Sequence, residues 1–271
     1  MENILTISRL FGLAGEPVAL VGGQGRAYLV GGVVLKPAES TAESNWVADF
    51  FDKKTTPTGI RLQKPVRSIN GNWIESGFVG WTFLEGAETS GRYEEKLRAS
   101  EIYHAAMADV SEPDFIQRRE NPYAVADKIA WQEKQMNYDK DFAEVVQSFL
   151  DSLEPLDLPR QLIHGDLAGN ILFHPALPPA IIDQTPYWRP VDFAKAILLV
   201  DALAWDTKTK ESEIFEAFQK VDNIRQLSIR AVLRRIFIQF EYVTQEGRSP
   251  KRALDEARVY EKVGKSILER L

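Results

Sequence analysis

Gln161 to Phe173 reads QLIHGDLAGNILF, and a few residues on, Pro179 to Gln184 reads PAIIDQ. Apolar runs enclose a polar bend carrying His164, Asp166 and Asn170, and Asp183 ends the second run. This pattern predicts a strand–loop–strand stretch. Asp166 and Asn170 stand four residues apart on one loop, so they can face one point, while Asp183 arrives from the adjacent strand. Moving a phosphoryl group to a hydroxyl needs a carboxylate to take the hydroxyl proton, magnesium on the phosphates, and ligands for that magnesium. Asp166 suits the first task; Asn170 and Asp183 offer the hard oxygen atoms that magnesium prefers. A plainer reading stands beside this one. Asp, Asn and Gly are common turn formers, and His164 is then a structural histidine. His104 and His174, the other histidines, have no clustered partners in the sequence, so nothing suits a transition metal.

Working outward from this stretch, the chain changes character near residue 85. Ile4–Leu13 predicts a short helix. The apolar runs Val18–Val21, Ala27–Val30 and Val33–Leu35, separated by Gly22-Gly23-Gln24-Gly25 and Gly31-Gly32, predict a three-stranded meander, because such glycine turns permit positive φ. Glu43–Lys54 places Trp46, Val47, Phe50 and Phe51 at helical spacing. Two further strand patterns, Ile60–Ile69 and Trp73–Phe78, meet at Asn70-Gly71. Beyond them helical periodicity recurs at about Arg92–Met107, Ala124–Gln135, Phe142–Leu150, Phe193–Trp205, Glu211–Lys220, Ile224–Val243 and Lys251–Leu271. The expected class is α+β with two lobes and a cleft at their junction. Residues 1–84 form a small antiparallel sheet with one helix, and residues 85–271 form a mainly helical lobe.

Within the first of these parts, Gly22, Gly23 and Gly25 make a hairpin tip over which backbone can approach phosphates. Lys36 ends the third strand pattern, placed to bridge phosphates, with Glu43 on the next helix as its first candidate partner and Glu39 as its second. At the strand-to-helix crossover, WTFLEGAE (Trp81–Glu88) is an extended segment whose backbone at Phe83 to Glu85 can meet a purine edge. Standing alone, each of these has an ordinary alternative: a turn, a solvated strand end, a connection.

Composition narrows the field. The 271 residues are 44% hydrophobic and 27% charged, with a net charge of −6, which is ordinary for a folded chain of this size. The 33 basic residues are scattered, giving no reason to expect a nucleic-acid or membrane partner. There is no cysteine, which excludes disulfides, thiolate catalysis and cysteine zinc sites. The start, MENILTISRLFGLAGEP, lacks a basic segment followed by a clean apolar run, and the expected location is cytoplasmic.

In this order, Gly22–Gly25, Lys36, Glu43, Trp81–Gly86, His164-Gly165-Asp166, Asn170 and Asp183 resemble the aminoglycoside phosphotransferase and choline kinase group of kinase-like folds. GGQGRAYLVGGVVLKP with NPYAVADKIAW is also similar to a bacterial subgroup of that group. The resemblance implies a protein-kinase-like fold and transfer of the γ-phosphate of ATP or GTP to a hydroxyl of a small molecule. It implies Asp166 as base, with His164 in the catalytic motif, Asn170 and Asp183 as magnesium ligands, and Asp192 as a brace for the catalytic loop. The alternative it leaves is a nucleotide-binding pseudokinase or scaffold. Two departures stand out. The Asp166–Asn170 spacing is one residue shorter than the usual H-x-D-x-x-x-x-N, and only eight residues separate Asp183 from Asp192, too few for a peptide-gripping activation segment. The implied acceptor is therefore small, bound near Ser111–Tyr123, with Tyr187 and Trp188 as a candidate wall and Asp201, Asp206 and Glu241 as candidate carboxylates for a cation.

Overall fold

The computed structural model describes residues 4–20, 26–136 and 140–271. In chain order the first elements are α1 (Ile4–Leu10), β1 (Val18–Ala19), β2 (Tyr28–Val30), β3 (Val33–Pro37) and α2 (Thr41–Lys53). Four short strands follow: β4 (Arg61–Leu62), β5 (Pro65–Val66), β6 (Ile74–Glu75) and β7 (Phe78–Thr82). Then come α3 (Tyr93–Ala105), α4 (Asp114–Arg118), α5 (Pro122–Ala130), α6 (Lys140–Asp151), β8 (Gln161–His164), β9 (Ile171–Leu172), β10 (Ala180–Ile181) and β11 (Pro186–Arg189). The chain ends in α7 (Val191–Trp205), α8 (Glu211–Phe218), α9 (Ile224–Glu246) and α10 (Pro250–Arg270). No helix among the described residues is long and apolar enough to cross a membrane.

The chain divides into two compact units, residues 1–88 with 170–184, and residues 89–169 with 185–271. A single boundary at 84/85 is thus too simple. The stretch after the HGD motif returns to the first unit because β10 pairs with β4, β9 pairs with β10, and Ala87 bridges to Phe173.

In the first unit an antiparallel sheet runs β1-β2-β3-β7-β5, with β6 also on β7. Strand alternation sorts its side chains to two faces. Val33 and Leu35 of β3 join Ile7, Phe11 and Val30 in a core under α1. Val34 and Lys36 turn to the opposite face, where Trp81, across from Val34, meets the Phe51 ring of α2 edge-on at 6.4 Å. Ser40 caps α2, its Oγ accepting from the Glu43 N–H at 3.2 Å. The expected strands Ile60–Ile69 and Trp73–Phe78 each break in two. After Leu62 the chain leaves one sheet for another, and Ser76-Gly77, with φ of 49° and 77°, turns β6 into β7. Positive φ at both central positions is the type I′ geometry that matches strand twist.

The second unit is mainly helical. The centre of α7, Phe193 to Ala202, is buried on every side, and α9 presents buried side chains along most of its length. Full burial of a large apolar side chain contributes about 1.5–3 kcal/mol, so these two helices anchor the unit. The unit also holds a strand pair absent from the expectation: β11 lies antiparallel to β8, with Pro186 opposite His164 and Arg189 opposite Gln161. Periodicity also gives no sign of the one-turn helix α4.

Candidate functional site

The HGD loop leaves β8 at His164, inside the second unit. His164 is fully buried, and its Nδ1 accepts from the Asp166 N–H at 3.2 Å. Its own N–H donates to His104 Nε2 at 3.1 Å, and His104 Nδ1 lies 3.1 Å from Ser100 Oγ. His104 thus accepts on one nitrogen and remains neutral: burial, then the neighbouring His164, pushes its pKa down to about 3. The Gly165 N–H donates to Thr185 O at 2.8 Å. A Cβ on Gly165 would stand 2.2 Å from Tyr187 Cδ2, so only glycine fits beneath that ring. The guanidinium carbons of Arg119 and Arg234 lie 5.2 and 4.8 Å from the Tyr187 ring centroid. Tyr187 is buried, and with Trp188, Ile116, Gln117 and Arg119 it lines a small pocket.

The loop is therefore fixed at each backbone step, and the Asp166 side chain emerges from it with 41% exposure. One Asp166 carboxylate oxygen accepts from Arg235 Nη2 at 2.8 Å. Arg235, on α9, is itself held by Asp201 of α7: Nε donates to Oδ1 at 2.8 Å and Nη2 to Oδ2. Burial opposes the guanidinium charge, but the attraction of Asp201, then of Asp166, outweighs it and holds the Arg235 pKa well above its ordinary value.

Three expectations change here. His164 does not reach solvent; it is buried behind the loop, its ring accepting from the Asp166 N–H. Asp192 does not brace the loop among the described residues; at the first turn of α7 it pairs with Lys195 at 3.0 Å, a helical i,i+3 partner. Bracing falls instead to His104, Thr185 and Arg235. The candidate carboxylates for a cation are occupied by protein donors. Asp201 pairs with Arg235, Glu241 accepts from Gln245, and Asp206 accepts from the Gly91, Lys208 and Thr209 N–H groups and the Tyr93 hydroxyl.

The other candidate groups lie in the first unit. Asn170 immediately precedes β9 and Asp183 follows β10, and the Ile182 N–H donates to Asn170 O at 3.0 Å. Asp183 takes a left-handed conformation with φ of 54°, and its N–H donates to Gln63 Oε1 at 3.1 Å. The same Gln63 donates from Nε2 to Thr82 O at 3.1 Å, so one buried amide fixes both Asp183 and the start of the crossover segment. The Asp183 carboxylate pairs with Lys36. Glu43, the expected partner, is buried in the first turn of α2, and the ion pair that Lys36 makes among the described residues is with Asp183. Gly22, Gly23 and Gly25 lie outside the described residues.

In the crossover segment the Phe83 N–H donates to Gly32 O at 2.9 Å, and Glu85 O accepts from Arg61 Nη2 at 2.8 Å. Phe83 and Glu85 are both exposed, and the Glu85 carboxylate lies 3.7 Å from His174 Nε2. No group of three or more His, Asp or Glu suited to a metal occurs among the described residues. Asp183 and Asn170 are nonetheless a fit for magnesium, which is commonly held by one or two side chains, with waters and substrate phosphates completing its shell.

A small antiparallel sheet with a helix on each face, α1 and α2, together with a helical unit that carries the HGD loop, has the protein-kinase-like fold found in aminoglycoside phosphotransferases and choline kinases. The amicoumacin kinase hAmiN, solved with AMP-PNP, Ca2+ and Ami, superposes with a TM-score of 0.63 at 16% identity over 97% of this chain and 92% of its own. Choline kinase LicA from Streptococcus pneumoniae gives 0.62 at 15% identity over 97% of each chain. The spectinomycin phosphotransferase APH(9)-Ia, solved with ADP and spectinomycin, gives 0.59 at 13% identity over 98% of this chain and 97% of its own. No family model and no curated protein matches the sequence. At such identities the likeness establishes the fold, and function must be argued from the site.

Proposed function

We propose that the protein is a small-molecule kinase that moves the γ-phosphate of ATP, or of GTP, to a hydroxyl. The observation that carries this reading is an exposed carboxylate, Asp166, on a loop whose flanking backbone is fixed by buried partners. A positioned base gains its effect from such fixity, because no reorganisation is needed when the proton moves. Asp166 takes the proton of the acceptor hydroxyl as that oxygen bonds to the γ-phosphorus. The bond from that phosphorus to the β-phosphate oxygen breaks, and the nucleoside diphosphate leaves with the electron pair. Asn170 and Asp183 are the residues that hold magnesium, which neutralises phosphate charge when bound. Lys36 exchanges its carboxylate partner for phosphate oxygens, a change suited to a point charge on a flexible stem. The segment Phe83–Glu85 receives the purine edge.

The neighbours solved with ADP and with AMP-PNP support a nucleotide as donor. The test is to incubate the protein with ATP or GTP, magnesium and a panel of sugars, amino alcohols, hydroxy acids and aminoglycosides, following nucleoside diphosphate release and the phosphorylated product. Magnesium-dependent transfer to one acceptor class is the expected result. Tight nucleotide binding with no transfer to any member would favour the pseudokinase reading.

A further inference from the structure

The Asp166 carboxylate has a guanidinium beside it, and that guanidinium is built in. Arg235 is anchored through Nε and Nη2 to Asp201, a carboxylate only 6% exposed, and Nη2 also reaches Asp166 at 2.8 Å. Its remaining nitrogen, Nη1, bonds to no described residue. Unlike Nη1 of the neighbouring Arg234, it is not among the buried polar atoms without a partner. Nη1 of a rigid, permanently charged group, on a side chain 13% exposed, is therefore left for a further acceptor beside the proposed base. A charged N–H donor of this kind makes its strongest hydrogen bond to an anionic oxygen, as of a carboxylate or phosphate.

The rest of the neighbourhood agrees. A cationic acceptor needs a carboxylate free to receive it, yet Asp201, the carboxylate that holds Arg235, is taken by that guanidinium. An ammonium approaching Asp166 would meet the Arg235 charge at close range and would have to displace a side chain that is 13% exposed and doubly held.

We infer that Arg235 selects the acceptor. The hydroxyl that Asp166 deprotonates belongs to a small molecule carrying a carboxylate or phosphate near that hydroxyl, which Arg235 Nη1 binds, and cationic acceptors are disfavoured. This rests on the kinase reading for the role of Asp166, and on the geometry around Arg235 for the choice of acceptor. Nothing covalent is added to the transfer step. Arg235 supplies orientation and charge, with Asp201 as its anchor.

Calorimetric titration of the full chain with glycerate, glycerol 3-phosphate, glycerol, choline and kanamycin tests the inference, at fixed ionic strength. One of the two anions should bind at least about tenfold more tightly than glycerol, choline or kanamycin, a preference weakened by added salt. Arg235→Met should remove that preference, and Arg235→Lys should restore part of it. Choline or kanamycin binding as tightly as the anions would overturn the inference. So would failure of both anions to bind, or an anion preference that survives Arg235→Met. If the Met variant does not fold, the wild-type order of affinities and the Lys variant decide. Arg235-dependent anion binding without phosphate transfer would sink the kinase reading and leave the selection intact. Transfer to a cationic acceptor would do the reverse.

Discussion

The candidate groups of the two units carry charge in opposite ways. In the first, Lys36 and Asp183 form an ion pair on strand ends, with side chains 29% and 51% exposed. In the second, Asp201 and Arg235 are packed between helices, and nearby Arg189 is clasped by Asp127 at 2.7 Å and by Glu133 at 2.7 Å. Exposed pairs contribute about 0–1 kcal/mol and give up their partners readily. Buried ones contribute little net stability, but breaking one partner costs about 3–5 kcal/mol, so they persist. The difference suits two tasks. A group that must trade a carboxylate for phosphate oxygens belongs in the first kind of pair, and a group that must hold a base in one orientation belongs in the second.

The sharpest way to break this contrast is to remove one carboxylate from each side. Asp166→Ala should lower kcat by about 10²–10⁴ while nucleotide affinity survives. Asp183→Ala should instead abolish the magnesium-dependent part of nucleotide affinity, read by titration with and without the metal. Turnover unchanged in the first variant, or metal-dependent affinity unchanged in the second, would remove that residue from its role.

A smaller effect tests whether the second unit holds its loop rigidly. In Gly165→Ala the new methyl meets the buried Tyr187 ring, which packs close to the Arg119 and Arg234 guanidinium groups. Overpacking of this kind costs about 1–3 kcal/mol, visible as a lower denaturant midpoint. An unchanged midpoint would show that the loop has slack. On the first unit's side, Gln63→Leu removes two hydrogen bonds and leaves the Asp183 N–H without its side-chain acceptor. A net hydrogen bond is worth about 0.5–1.5 kcal/mol, so the stability loss should be modest. The telling readout is magnesium-dependent nucleotide affinity, expected to weaken severalfold, with the Gly165 side of the contrast untouched.

How much of this was legible beforehand follows from the range of each interaction. The meander, α2 and the long helices of the second unit are written in local periodicity and glycine turns, and all appear near their expected limits. Asn170 and Asp183 flank the paired strands β9 and β10, a local arrangement that the sequence pattern also implies. What was missed lies far apart along the chain. His104 meets His164 across 60 residues, Gln63 meets Asp183 across 120, and Arg235 meets Asp166 across 69. A polar residue on an amphipathic helix reads as solvated unless its distant partner is known, which is why Asp201 looked like a surface carboxylate. Tyr187 and the pairing of β11 with β8 were hidden for the same reason. One local signal was available and overlooked: Ser76-Gly77 inside an apolar run marks a hairpin turn.

The smallest predicted effect concerns the histidine behind the loop, and its sign can be worked out. His104 is neutral and buried, its pKa pushed from an ordinary 6.5 down to about 3 by burial and then by His164. In the unfolded chain it would take up a proton near its ordinary value, so below that value the unfolded state binds the extra proton. The stability that His104 contributes is therefore fully present above 6.5 and drains away as the pH falls toward 3. One such group accounts for about 0.7 kcal/mol between pH 7 and pH 6 and about 1.4 kcal/mol per unit further down. His104→Gln keeps an acceptor for the His164 N–H but cannot titrate, so its stability should fall less steeply over this range. Denaturant melts of both proteins at matched pH values isolate the difference, since the remaining histidines are common to both. Parallel curves would mean that His104 is not held neutral, and the rigidity assigned to the Asp166 loop would lose one of its supports.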